Sequence, residues 1–422
     1  MLRILLVTED VPAVNLGGAG KHAVCLGNAL LEAGHDVELL GRAKPAGHPG
    51  CNGFRGTLHH GIDLRGAGWQ EFRFGAFLPG RREYVARRIW RAIQRVGVDR
   101  FDVIHYHGHH SALGAIVPPG VRYVHTLHDQ GSDCLIMTRF KQGERCCETS
   151  PEACASCATR APNALQRALS AQAARRHRQR SKEAFAQHET IFVSQFLRDA
   201  FVSNTRCSSP IRASVIHNFT DAVAIRAALQ PMQPGRDAGA RKPVALVVGR
   251  IDEAKGLWAL LHALPEEFFA RCRLRVVGDG PQRVTLQQKH EPRGVEFVGM
   301  LPQPAVYAET LAADACIVPS VLDESCATTV LEALALGKRV LALQRGGTPE
   351  LARYAAGSAR LMLYPTMREL AQGLEDIALG TSVDAEVSDL ADVRRRLPEI
   401  LSVYRRASIG ALTRPATHVV DA

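Results

Sequence analysis

Short continuous runs of Val, Ile and Leu alternate with helical stretches twice along this chain, and that pattern limits its fold more than any other feature. In the first half the runs are Leu2–Val7, Asp36–Leu40, Val103–Tyr106, Val121–Leu127, Thr190–Val193 and Ala213–His217, with Ala19–Ala33 reading as a helix that ends at Gly34. In the second half they are Val244–Val248, Leu274–Val277, Val295–Val298, Ala315–Val318, Arg339–Leu343 and Ala359–Leu363. Runs without polar alternation suit parallel strands covered by helices on both faces. Between the halves, Leu229–Lys242 carries two prolines, two glycines and no periodicity, which marks a linker or exposed loop. The expectation is an α/β protein of two doubly wound, Rossmann-like domains facing across a cleft. The boundaries read as 1–225 for the first domain, with a Cys-rich insertion at about 130–160, and 240–385 for the second. Residues 386–422 form a C-terminal helix and tail, helical in pattern from about Ser388 to Ile409.

Composition narrows the class. The 422 residues leave room for two cores, and 46% hydrophobic with 22% charged content is that of a folded globular chain. Lys+Arg 52 against Asp+Glu 42 gives a formal charge of +10, which favours an anionic ligand or surface. No apolar run approaches the ~18–20 residues of a membrane span. The apolar stretch at the N-terminus is short and is followed at once by Glu9 and Asp10, unlike a secretory signal, so a cytoplasmic protein is expected. In that reducing setting the eleven cysteines read as thiols, metal ligands or redox groups rather than as a disulfide framework.

Ligands of open parallel sheets bind beyond the carboxyl ends of the strands, so the segments that follow the strands carry the functional information. After the first strand, Gly17-Gly18-Ala19-Gly20-Lys21-His22 leads into a helix, where glycines allow backbone amides to approach a phosphate. Gly18-x-Gly20-x-x-Ala23 lies too far beyond Val7 for a dinucleotide fingerprint, and His22 after Lys21 excludes a Walker loop. In the second half, Gly249-Arg250 and Lys255-Gly256 flank a helix start that suits an anion, the alternative being surface ion pairs with Asp252 and Glu253. Gly278-Asp279-Gly280-Pro281 is a tight turn that permits close approach of a ligand. The most specific stretch runs from Pro319 to Lys338. Glu324 is expected in a loop, a helix begins near Thr328 and stops at Gly337, and Glu332 lies about one turn inside it. Two carboxylates so placed can bond hydroxyls on two parts of one ligand.

Glu324-x7-Glu332, Gly337-Lys338-Arg339-Val340 and Gly346-Gly347-x-x-Glu350 together resemble the donor-site signature of retaining family-4 glycosyltransferases of the GT-B fold. Gly249-Arg250-x4-Lys255-Gly256 resembles that family's diphosphate-binding stretch, Gly17-Gly18 its N-terminal loop, His128-Asp129 its acceptor-side histidine motif, and Val215-Ile216-His217-Asn218 its domain junction. The resemblance implies a C-terminal helix that crosses back to the first domain, and an enzyme that transfers a sugar from a nucleoside-diphosphate sugar to an acceptor hydroxyl. It further implies that Arg250 and Lys255, with the Gly18 amide, neutralise the leaving diphosphate, and that Glu332 holds the ribose. Glu324 and the amides of Cys326, Ala327 and Thr328 would orient the transferred sugar, and His128 would line the reacting centre. Donor contacts are thus expected at Gly17, Gly18, Arg250, Lys255, Gly278, Cys326, Ala327, Thr328 and Glu332. No divalent metal or other cofactor is expected for catalysis, since fixed cations and helix dipoles serve the departing charge. The family often has Pro-Phe-Gly where this chain has Ser325-Cys326-Ala327. The implied setting is polysaccharide or glycolipid synthesis, with a glycan or lipid-linked acceptor.

Cys134, Cys146, Cys154 and Cys157 offer four ligands with one Cys-x2-Cys end, so a structural zinc and unliganded thiols are the two readings. His105, His107, His109 and His110 read as structural or acceptor-lining. Two basic stretches remain. Within Arg81–Arg100, Val85, Ile89, Ile93 and Val96 share one helical face, opposite Arg87, Arg91 and Arg95. That stretch reads as a helix covering the sheet, or as a contact with anionic lipid at the inner face of the plasma membrane. Arg167–Lys182 is basic without an acid and reads either way. Two other functions fit parts of the pattern: a nucleic-acid-binding protein with a zinc module, and a GT-B enzyme that hydrolyses or epimerises a nucleotide sugar without an acceptor. With aromatic content at 6% and no recognised binding motif, no nucleic-acid partner is expected.

Overall fold

The computed structural model describes residues 1–11, 18–43, 53–64, 79–155, 157, 163–230, 242–356, 360–377 and 387–412. Gly17 and most of the 229–242 linker lie outside them. The chain forms two compact units: residues 1–139, 146–217 and 396–422, and residues 140–145 with 218–395.

In the first unit the strands are β1 (Arg3–Val7), β2 (Asp36–Arg42), β3 (Thr57–Ile62), β4 (Val103–His107), β5 (Tyr123–Leu127), β8 (Glu189–Phe192) and β9 (Ala213–Val215). They form one parallel sheet in the order β3-β2-β1-β4-β5-β8-β9. A two-residue hairpin, β6 (Phe140–Lys141) with β7 (Glu144–Arg145), groups with the second unit. That unit's own sheet is also parallel, in the order β12-β11-β10-β13-β14-β15. Its strands are β10 (Val244–Val248), β11 (Arg273–Val277), β12 (Val295–Gly299), β13 (Ala315–Val318), β14 (Arg339–Leu343) and β15 (Arg360–Tyr364).

Each sheet reverses its strand order beside its first strand, between β1 and β4 and between β10 and β13. Helices that leave neighbouring strands there go to opposite faces, which opens a crevice at the carboxyl ends. The central strands are buried throughout, as their apolar runs require: β4 and β5 have no exposed residue, and Leu5, Ile104 and Leu246 are fully covered. β3 is the strand that the apolar pattern does not announce. Its sequence Thr-Leu-His-His-Gly-Ile is polar because it sits at the sheet edge, where most of its residues are only partly covered.

The chain changes unit at His217–Asn218, before the expected position near 225, because Asn218 Nδ2 donates to the Cys326 carbonyl (3.0 Å) and the Thr220 strand bridge joins Asp392. Residues 387–395 stay with the second unit, where Ala222 N donates to Asp392 Oδ2 (2.7 Å). The final helix, Val393–Leu412, begins later than Ser388 and rejoins the first unit from Arg396 onward. There the buried Tyr404 hydroxyl lies 2.8 Å from His105 Nδ1, and Arg406 pairs with Glu189 at 3.2 Å.

The helix Arg81–Val96 buries Val85, Ile89 and Ile93 and exposes Arg87, Arg91 and Arg95, as its pattern predicts. The second basic stretch is less solvated than its composition suggests. It forms part of the helix Ala164–Gln187, in which His177 and Arg178 are buried. No helix among the described residues is long and apolar enough to cross a membrane.

Candidate functional site

In the second unit the loops after β10, β11 and β13 are locked together by backbone contacts. Gly278 has φ +140, and a Cβ added there would stand 1.9 Å from the Gly249 carbonyl oxygen. Gly256 has φ +74, and a Cβ there would stand 2.0 Å from the Pro319 carbonyl oxygen. Only glycine fits either place, on grounds of both conformation and space. The loop after β14 joins them: Gly346 N donates to Asp323 Oδ1 (3.1 Å) and Gly347 N to the Glu324 carbonyl (2.7 Å).

This framework positions the charged groups. Asp252 caps the short turn Glu253–Lys255 by accepting from Lys255 N (3.0 Å), and its second oxygen holds Arg250 Nε at 3.1 Å. Arg250 therefore makes the pair with Asp252 that its sequence neighbourhood offered, while its side chain stays 63% exposed. Lys255 instead reaches the next loop, where its Nζ lies 2.6 Å from Glu324 Oε1. Asp323, beside Glu324, is bonded by Arg145 Nε at 2.9 Å.

The helix Thr328–Ala335 starts after Ala327, whose extended backbone ends the loop without a side-chain cap. The positive end of that helix suits an anionic ligand. Glu332 lies inside it, as expected, and accepts from Gln303 Nε2 at 3.0 Å. Cys326 is buried, and burial pushes its thiol up to about 12, so it acts as an apolar filler under the loop. The structure thus joins Arg250, Asp252, Lys255 and Glu324 into one chain of pairs. Gly278 lies beneath it, and Glu332 is turned toward Gln303.

In the first unit the ends of β1, β4 and β5 gather a polar cluster at the switch point. Glu9 Oε1 accepts from the Tyr106 hydroxyl (2.9 Å) and from His109 N (2.8 Å). Glu9 Oε2 has no hydrogen-bond partner, and burial holds this carboxyl above its usual range. His109 Nδ1 bonds Asp129 Oδ2, and its Nε2 lies 3.7 Å from Asp10. Burial opposes charge on His109, but Asp129, Asp10 and Glu9 outweigh it and hold the ring well above the usual histidine range. In turn, burial acts to raise the Asp129 carboxyl, but His109 outweighs it and holds the group below its usual value.

Beside this charged pair lie neutral rings. Burial first, then His22, holds the half-buried His128 well below the histidine range. Burial with His105, His22 and His128 does the same to His107. His107 Nδ1 lies 3.4 Å from His128 Nε2, and the rings of His22 and His128 meet edge-on at 4.6 Å. Among the described residues, His22, His107 and His128 form the one group of three metal-ligating side chains whose ligand atoms lie within 4.8 Å of one another. A neutral His128 can donate to or accept from a hydroxyl.

His22, Glu9 and Asp10 are the residues that sequence reasoning missed here. Each follows the first strand, and His22 sits one turn after Gly18, which begins the helix Gly18–Glu32. Strand-end position was the available signal, since this is where switch-point ligands bind. Cys134, Cys146, Cys154 and Cys157 line one small cavity in this unit, and Cys147 is exposed outside it.

Two family models match the chain in succession: "Glycosyltransferase Family 4" over residues 16–223 and "Glycosyl transferases group 1" over residues 242–378. Glycogen synthase of Mycobacterium tuberculosis is 27% identical over 376 residues, covering 83% of this chain and 80% of that protein. Among solved structures, the catalytic domain of starch synthase IV from Arabidopsis thaliana, bound to ADP and acarbose, covers 97% of this chain and 99% of its own at 14% identity, with a TM-score of 0.59. Anabaena HepE in complex with UDP and glucose covers 98% of this chain and 100% of its own at 16% identity, with a TM-score of 0.56.

Proposed function

Because the chain belongs to the GT4-type glycosyltransferases of GT-B fold, we propose that it transfers a sugar from a nucleoside diphosphate to an acceptor hydroxyl with retention of anomeric configuration. The observation that carries this reading is the Lys255–Glu324 pair at the switch point of the second sheet. It places a cation and a carboxylate in contact where such sheets hold ligands. The UDP and ADP complexes of the neighbours support a nucleoside diphosphate as the leaving group.

In this reading Arg250 and Lys255, with the amides at the start of Thr328–Ala335, offset the charge that grows on the diphosphate as the glycosidic bond breaks. Fixed charges of this kind need no reorganisation at the moment of reaction. Lys255 gives up its bond to Glu324 for the phosphate, which frees Glu324 to accept from a sugar hydroxyl. Glu332 exchanges Gln303 for the ribose hydroxyls. On the acceptor side, neutral His128 bonds a sugar hydroxyl, and the His109–Asp129 pair fixes the floor beneath it. The acceptor is a glycan or a lipid-linked sugar. Exposed Arg87, Arg91 and Arg95 support contact with anionic headgroups in the lipid-linked case.

The test is to incubate the purified protein with UDP-, ADP- and GDP-sugars and with glycan and lipid-linked acceptors, reading the product linkage by NMR. Retention in an acceptor-dependent product is expected. Inverted linkage, or donor consumption that ignores the acceptor, would overturn the proposal.

A further inference from the structure

We propose that Cys134, Cys146, Cys154 and Cys157 bind a structural zinc ion that holds the insertion after β5 in shape. The four side chains come from three short pieces of chain, Cys154 and Cys157 sharing one, and line one small cavity together with Leu135, Ile136, Arg139, Glu148 and Arg178. Cys147, the neighbour with an equal claim on sequence spacing, points elsewhere and is exposed. The sulfurs surround the cavity without having closed on one centre, since among the described residues only the His22, His107 and His128 group has ligand atoms within 4.8 Å of one another. Zinc–sulfur bonds of about 2.3 Å would draw them in.

Two independent features call for such a staple. The first is the poverty of the insertion's own structure. Among the described residues it has the β6–β7 hairpin, a five-residue helix Pro151–Ala155, and a small apolar cluster of Leu135 with Ala173 and Ala174 of the following helix, besides buried Met137 and Ala155. Met137, Arg139 and Gln142 all adopt left-handed backbone at φ +67, +45 and +53. So little apolar burial does not offset the entropy of ordering such a segment, and small units of this kind are held by metals or cross-links.

The second feature is Arg178. Its guanidinium is buried and donates to the Asp133 carbonyl (3.1 Å), the Thr149 carbonyl and Cys154 Sγ (3.2 Å). Asp133 acts on it electrostatically but is already paired with Arg139 at 2.8 Å, so one buried carboxylate serves two guanidinium groups. A buried cation whose counter-charge is shared is costly. Zinc bound by four thiolates carries a net charge of −2, and Arg178 then makes a charge-assisted bond to a coordinating sulfur. On binding, each thiol releases its proton to solvent, the zinc keeps its charge, and no electron is transferred.

The experiment measures metal in the purified full-length protein by mass spectrometry, with release by a thiol-specific mercurial followed by a chromogenic chelator. Stoichiometric zinc is expected. Cys154→Ser and Cys157→Ser lose it, and Cys147→Ser retains it. Arg178→Gln weakens zinc on the order of 10–100-fold, as losses of supporting contacts do. Cobalt exchanged into the wild-type chain should give the visible bands of a tetrahedral thiolate site, a readout that does not depend on the variants folding. Reduced wild-type protein that takes up neither zinc nor cobalt overturns the proposal. Metal loss in Cys147→Ser equal to that in Cys154→Ser, or an iron–sulfur spectrum, overturns it as well.

Discussion

Lys255 Nζ lies 2.6 Å from Glu324 Oε1, joining the loop after β10 to the loop after β13 where the second sheet reverses its strand order. Each side chain holds the other in place, and in the proposed reaction a ligand divides them. In the proposed function Lys255→Met removes the cation from the leaving phosphate, and it is expected to lower kcat/KM for transfer by about 10²–10³-fold, the range for loss of one preorganised charge-stabilising donor. Glu324→Gln should lower kcat as well. The double variant should lose less than the product of the two, because the partners share one interaction. Steady-state kinetics on the four proteins checks this.

Gly256 tests the framework beneath the pair. With φ +74 and the Pro319 carbonyl oxygen 2.0 Å from where a Cβ would stand, Gly256→Ala must push the two loops apart. The expected cost is roughly 1–3 kcal/mol of stability, from strained backbone and steric overlap. Chemical denaturation measures it. Gly294→Ala is the comparison, because there φ is also positive at +91 but no atom lies within 4 Å of the added group, so only the conformational part remains.

The first unit should lose stability in mild acid. Burial lowers His125 from 6.5 to about 4, while its Nε2 lies 3.0 Å from the Gly108 carbonyl. Above pH 6.5 the ring is neutral in both folded and unfolded chains, and the full stability is present. As pH falls toward about 4, the unfolded chain takes a proton that the folded chain refuses, and stability drops by on the order of 3 kcal/mol from this group. His105 and His107, also lowered by burial, act in the same direction. His125→Gln keeps a donor for Gly108 without the titration, so its melting temperature should fall less steeply between pH 6.5 and 4. Equal slopes in the two proteins would contradict this assignment.

The basic helix Arg81–Val96 gives a prediction about surfaces. Arg87, Arg91 and Arg95 are exposed on one side, while Val85, Ile89 and Ile93 are buried on the other. Basic side chains beside anionic headgroups contribute about 1 kcal/mol each. Sedimentation with phosphatidylglycerol vesicles should capture the protein at low salt. Replacing the three arginines with glutamate should abolish capture, and so should neutral vesicles.

How much of this was legible in the sequence follows the physics of each part. The parallel strands could be read because their residues are buried on both faces, and Val244–Val248 and Arg339–Leu343 coincide with their apolar runs. β3 could not be read, since an edge strand needs no continuous apolar run. Arg250, Lys255, Glu324 and Glu332 fall in the strand-end loops and the helix where the sequence placed them, because strand ends and helix starts have local signals. The bond between Lys255 and Glu324 could not be read, because their 69-residue separation is closed only by sheet order. His22 had only its place after the first strand as a signal, and its meeting with His107 and His128 depends on three segments converging. Arg178 looked like one of a solvated basic run, and only packing reveals it as a buried cation beside Cys154.

The most direct test of the account is calorimetric titration of the wild-type protein and Lys255→Met with UDP, ADP and GDP. The account predicts that at least one nucleoside diphosphate binds the wild-type chain and that its affinity falls at least about tenfold, 1.4 kcal/mol, in the variant. Equal affinity in the two proteins, or a wild-type chain that binds none of the three, would contradict it.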